Sequence, residues 1–149
     1  MVALVFAMLG AMLLAWQAAL IEPAQLDRRA SAAADVFAAN FWAYEQATGT
    51  YAATHPAASG TIGDASLTFA PGYIRNPAWT NVVSGGTLYT YSTLALSPRT
   101  KDAIARRGGR SLMIGIAQPG GTMTSFTGGA AGFALPASIP VGALVVIGD

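Results

Sequence analysis

Residues 2–21 carry no charged side chain, and from residue 24 the chain changes to a pattern in which apolar residues return at three- and four-residue steps. As a helix rising about 1.5 Å per residue, the first run is about 30 Å long, the thickness of a bilayer's hydrocarbon core. Trp16 and Gln17 lie near its far end, where an amphipathic ring suits the headgroup level. Residues 1–22 are therefore expected to form a transmembrane anchor. In the second pattern Leu26, Ala30, Ala33, Phe37, Phe41, Tyr44 and Tyr51 share one stripe, with Arg28, Asp35 and Glu45 mostly off it. This predicts a membrane-proximal helix over about 24–50. Pro23 fits its first turn and would permit a bend just after Ile21. Gly49 and the following "HPAASG" are expected to stop it.

Beyond the helix the period shortens. Residues 54–78 are rich in Pro and Gly and read as loop, with "SLTF" as a possible short strand and "PGYIRNPAW" as a connection carrying Tyr73 and Trp79 into the core. "TLYTYST" alternates as a strand does, after a tight turn at Gly85 and Gly86. In "SPRTKDAIARRGGR", Ser97 suits an N-cap and Pro98 the first helical position, while Arg106 and Arg107 sit at the negative end before Gly108. That predicts a helix of about ten residues. "SLMIGIA", "GTMTSF" and "ALVVIGD" then read as strands, the first two joined through Pro119 and Gly120. The expected fold is α+β: an N-terminal transmembrane helix continuing into a long helix, which packs on a small antiparallel sheet with one further short helix. Residues 23–149 would form a single domain, with no hydrophilic linker and no internal repeat.

Composition narrows the function. Of the 149 residues 53% are hydrophobic and 10% charged, against about 25% charged in an ordinary soluble domain. Most of the apolar excess lies in the first run. The net charge of +1 provides no general attraction to nucleic acid. With no cysteine and one histidine, thiolate chemistry, disulfides and multi-histidine metal sites are excluded.

The anchor shows neither the basic start and short apolar core of a cleaved signal peptide nor the leader and mature-chain Glu of a prepilin. Gly10 is followed by "AMLLA", and the first acid is Glu22. Ala3, Ala7, Ala11, Ala15 and Ala19 recur every four residues, a spacing that could form a helix-pairing face. Arg28 and Arg29 after the anchor slightly favour a cytoplasmic domain under the positive-inside rule. A single lysine and abundant Ala, Gly, Ser and Thr look more like an exported bacterial domain.

Chemistry is sparse. His55, Ser59 and Asp64 have the residue types of a hydrolase triad, but they sit within one Pro/Gly loop that lacks the buried carboxylate and strained nucleophile turn a triad needs. The glycine pairs do not continue into a phosphate-binding motif and suit turns. Arg99, Lys101, Arg106, Arg107 and Arg110 form a basic group that could meet an acidic partner or simply be solvated, and no aromatic residue interleaves it as nucleic-acid stacking requires. No catalytic, cofactor-binding or metal-binding residue is assigned, and no small-molecule ligand is expected.

The stretches "FWAYEQATGTYAATHP", "NPAWTNVVSGGTLYTY", "MIGIAQPGG" and "ALPASIPVGALVVIGD" follow an uncleaved apolar N-terminus. This layout resembles the PilM family of thin-pilus (type IVB) biogenesis proteins found with conjugative plasmids. The resemblance implies a non-enzymatic protein of the bacterial inner membrane, single-pass with a periplasmic domain, serving pilin transport or the pilus basal body. Its partners would be the membrane and other pilus-assembly proteins or pilins, without cofactors and without nucleic acid. The alternative is a minor pilin or pseudopilin-like subunit that enters the fibre, since a hydrophobic helix leading into an α+β head is also the pilin layout.

Overall fold

The computed structural model describes the backbone of residues 2–128, 130–131 and 133–148, and side chains at positions 8, 10, 12, 16, 23–128 and 133–148. Helix α1 runs Val2–Thr54 and passes through Pro23 without a break. The expected continuation of the first helix into the second is thus found, as one element. A proline inside a helix removes one N–H bond and crowds the preceding turn, yet here the helix continues on both sides. The chain divides into two compact units, Met1–Ala33 and Ala34–Asp149. Among the described residues no helix is long and apolar enough to cross a membrane. The side chains of Ala3, Ala7, Ala11, Ala15 and Ala19 lie outside the described residues.

In the first unit the described side chains from Pro23 to Ala33 are exposed, Leu26 included. The second unit holds the last turns of α1, helix α2 (Pro98–Arg107) and strands β1 (Trp79–Ser84), β2 (Thr87–Ser92), β3 (Ile114–Gln118), β4 (Thr122–Ser125), β5 (Ala130–Ala131) and β6 (Leu144–Gly148). The described strands form one sheet in the order β1-β2-β6-β3-β4-β5, antiparallel at every pairing. β6 is last in the chain and central in the sheet.

Two of these strands, β1 and β5, were not expected from the pattern. Conversely, "SLTF" is not a strand, since Asp64–Ser66 is a single 3₁₀ turn and the residues after it are extended but unpaired. The β1–β2 hairpin closes through Gly85 and Gly86, both at positive φ (59° and 81°), with Ser84 paired to Thr87. A two-residue turn with both central residues left-handed matches the twist of the strands it joins, which explains two glycines in succession.

Alternation along the strands makes two buried faces. One carries Trp79, Val83, Leu88, Ile114, Leu144 and Val146 and packs against α1 and α2 through Phe41, Tyr44 and Ile104. The other carries Tyr89, Tyr91, Val145 and Ile147 and is covered by Leu135, Ile139 and Ala143 from the connection before β6. The buried line of α1 is Ala34, Ala38, Phe41, Tyr44, Ala47 and Thr48. The predicted stripe therefore holds at Phe41 and Tyr44 and, partly buried against the same core, at Tyr51. Ala30 and Ala33 are exposed, and Phe37 remains 41% exposed with one ring edge against Trp79 at 6.4 Å. Alanines at 34 and 38 let the backbone of α1 come close, which turns the larger Phe37 to the margin of the contact.

Helix α2 forms as its ends dictate. The Ser97 hydroxyl accepts from the Thr100 N–H at 3.2 Å, Pro98 occupies the first turn, and Arg106 and Arg107 fall in the last. Gly108 follows, where a side-chain carbon would overlap the Trp42 ring and Ile114. The Trp42 indole N–H in turn donates to the Ile104 carbonyl at 3.1 Å, tying α1 to the end of α2.

Candidate functional site

The triad residue types at positions 55, 59 and 64 are not assembled into a relay. His55 follows the end of α1, its ring stacked on Tyr51 at 4.0 Å and 8°. Its Nδ1 lies 3.0 Å from both the Tyr51 carbonyl and the Thr54 hydroxyl. A carbonyl can only accept, so Nδ1 carries the proton, and the ring is oriented by backbone rather than by a carboxylate. Asp64 is instead 2.9 Å from Arg75 Nε, an ion pair without the alignment of a hydrogen bond. Ser59 is exposed. Among the described residues no group of three or more His, Asp or Glu could hold a metal ion.

The basic group is partly internal to the fold. Arg106 contacts Asp102 on its own helix and lies 3.5 Å from Asp35 on α1, while Arg110 reaches Asp102 at 2.9 Å. Arg110 adopts φ 51°, a strained value for a side chain with a Cβ, held there by its own N–H on the Ala105 carbonyl at 2.8 Å and by the Asp102 pair. Arg107 is exposed and Lys101 partly so. Two of the five cations thus fix the end of α2 as well as charging the surface.

The long connection before β1 is pinned to α1 by polar side chains that the sequence reading passed over. Asn40 accepts from the Trp79 indole N–H at 2.8 Å and donates to the Ile74 carbonyl at 2.9 Å. Asn81, fully buried on β1, accepts from the Ile62 N–H at 2.8 Å and donates to the Ile62 carbonyl and the Tyr44 hydroxyl. It pairs with a backbone as a neighbouring strand would, and with the Gly60–Val83 bridge it covers the open edge of β1. Tyr44, Phe69 and Tyr73 stack in succession, and the Arg75 guanidinium lies 5.3 Å from the centre of the Tyr44 ring. The Tyr73 hydroxyl is pushed up to about 12, first by burial and then by the neighbouring Tyr44, with Arg75 opposing. Glu45 is also raised above its ordinary 4.5 by burial.

Between this pinned connection and the last turns of α1 lies a cleft of about 710 Å³. One wall is helical, with Gln46, Thr50 and Thr54 at four-residue spacing beside Tyr51. The other is formed by Ser66, Thr68 and Phe69, and His55 closes the end. No Asp, Glu, Lys or Arg lines it. The helical spacing of its polar residues was visible in the sequence; the wall facing them, some 20 residues further on, was not.

Two solved structures are similar to this chain. A PilM protein from Escherichia coli B7A superposes with a TM-score of 0.60 at 23% identity, covering 78% of this chain and 91% of that one, which establishes a shared fold. A PilM protein from Pseudomonas aeruginosa 2192 is 27% identical over 77% of this chain and 95% of that one, with a TM-score of 0.45. No protein of curated function matches in sequence. The PilM family itself matches over residues 7–147, nearly the whole length, so the chain belongs to the PilM family, which ties it to pilus biogenesis.

Proposed function

We propose that this protein is a non-enzymatic inner-membrane assembly component of a thin, conjugative type IV pilus, acting in pilin transport or the basal body. The observation that carries the reading is the family match over residues 7–147, which includes most of the uncharged run as well as the folded unit. In this reading residues 1–22 anchor the chain in a single pass, and the unit Ala34–Asp149 docks pilins or other assembly proteins on the periplasmic side. The exposed Arg107 and the partly exposed Lys101 offer an acidic partner surface a place to bind.

A C-terminal tag on the full-length protein tests this placement by protease accessibility. Cleavage of the tag in intact spheroplasts, with the protein held in the membrane fraction, is the expected result. A tag that survives until lysis places the domain in the cytoplasm, as Arg28 and Arg29 would favour, and overturns the periplasmic assignment.

One observation favours a second reading, a minor pilin or pseudopilin-like subunit. Helix α1 is unbroken from Val2 to Thr54, and its C-terminal turns pack on an antiparallel sheet, the layout of a subunit that enters a fibre. N-terminal sequencing of the mature protein separates the two. An intact Met1 supports the assembly component; processing within the apolar run supports the subunit.

A further inference from the structure

The cleft at the end of α1 has a chemistry that selects its ligand. Its volume of about 710 Å³ is that of small-ligand clefts, which span about 300–1,000 Å³. The absence of charged side chains from its lining makes it a poor place for a phosphate or carboxylate, which would lose hydration without gaining a counter-charge.

What the lining offers instead is acceptors around an aromatic stack. Thr50 Oγ1 donates backward to the Gln46 carbonyl at 2.8 Å, and Thr54 Oγ1 to the Thr50 and Tyr51 carbonyls. Each hydroxyl has thus committed its proton; Thr50 Oγ1 keeps its lone pairs for a ligand, and Thr54 Oγ1, which the His55 Nδ1–H also approaches at 3.0 Å, keeps one. With the proton of His55 on Nδ1, Nε2 is an acceptor as well. Gln46 adds an amide on the same wall. A site of this kind calls for a neutral ligand rich in donors. The Tyr51 and His55 rings stack face to face, centroids 4.0 Å apart, so each covers one face of the other and only an outer face of the stack is left to receive polarised C–H groups. A peptide strand would need an unpaired backbone edge to bind, and the helical wall has already bonded its own backbone groups.

We propose that this cleft binds a neutral oligosaccharide, one sugar ring packing on an outer face of the Tyr51–His55 stack and its hydroxyls donating to Thr50, Thr54 and His55. This assigns a small-molecule ligand where the sequence predicted none. Binding itself does not depend on the membrane placement proposed above; only the source does, since a periplasmic domain would meet such chains in the cell-wall glycan.

The test is titration of the full-length protein, held in nanodiscs free of glycosidic detergent, with a β-1,4-linked N-acetylglucosamine tetramer. Binding is read by calorimetry and by the His55 ring resonances. Saturable binding that shifts those resonances is expected, weakened at least tenfold in Thr50→Val and in Tyr51→Ala. Thr50 is exposed, so Thr50→Val carries the test even if Tyr51→Ala does not fold. No saturation at millimolar sugar, or an affinity unchanged by Thr50→Val in folded protein, overturns the proposal. So does a neutral tetrapeptide that binds in place of the sugar with the same shifts. The spheroplast assay reads location independently, so either inference can fail alone.

Discussion

Two long connections in the second unit do similar work by different means. Residues 55–78 run from the end of α1 to β1, and from residue 60 onward they are held by side-chain hydrogen bonds from Asn40 and Asn81 together with stacked aromatic rings. Residues 133–143 cover the opposite face of the sheet with Leu135 and Ile139; their ends are tied by backbone bonds, Leu135 N–H to the Gly121 carbonyl at 2.7 Å and Gly142 N–H to the Ala117 carbonyl at 2.9 Å, while the Tyr89 hydroxyl reaches the Ala134 carbonyl only at 3.5 Å. Hydrogen bonds to buried groups fix geometry, because any displacement strands a donor or acceptor. Apolar burial is non-directional and tolerates small shifts. The connection that forms a wall of the cleft is the one held along its length by directional side-chain bonds, whereas the other is bonded through its backbone at its ends and packed by apolar side chains between them.

The comparison can be broken most severely at Trp79, which is fully buried, edge-on to Phe41 at 5.1 Å and hydrogen-bonded to Asn40. Trp79→Ala should cost about 3–5 kcal/mol, measured by urea unfolding, and should release residues 60–78 together with β1. Leu135→Ala should cost about 2–3 kcal/mol and raise amide exchange in residues 133–143. Exchange at Ile62 should remain unchanged, and its acceleration would show that the two connections are not independent. Asn81→Leu tests directionality itself. It keeps apolar volume on β1 but removes the partners of Ile62 and Tyr44, and about 1–3 kcal/mol should be lost, with Ile62 exchange rising at least tenfold.

The smallest effect is expected at Glu45, whose carboxyl burial holds above its ordinary 4.5. Its folded state binds the proton more tightly than its unfolded state, so this contribution is fully present below pH 4.5 and is lost as pH rises through the raised value. Glu45→Gln should flatten that decline, and a pH series of unfolding midpoints for both proteins measures it. A steeper decline in the variant would mean that the carboxylate is stabilised by a partner rather than penalised by burial.

What could be read from the sequence was local. The cap, first proline and closing arginines of α2 declare themselves within a dozen residues, β2 alternates clearly, and β3, β4 and β6 stand out as short apolar and β-branched runs between turn residues. Strand β1 does not, because Asn81 stands at an inward position where alternation calls for an apolar residue. Its reason lies 19 residues away, at Ile62. The stripe on α1 was misplaced toward its large side chains, whereas the close contact is made by Ala34 and Ala38. At the candidate site, Gln46, Thr50 and Thr54 are regularly spaced, but a cleft needs two walls, and the pairing of residues 66–70 with this face follows from the tertiary fold.

The central position of β6 has a consequence for how this molecule is made. Before residues 144–148 have been synthesised, β1–β2 and β3–β4 are separate hairpins with no common sheet, and each exposes an edge that only β6 fills. Pairings as distant in sequence as Thr90 with Val146 form slowly compared with local ones. A nascent chain of this kind stays open until β6 has emerged, a useful property if it must be threaded through a translocation channel before it folds. Disruption of β6 should accordingly leave two unjoined hairpins rather than a smaller sheet.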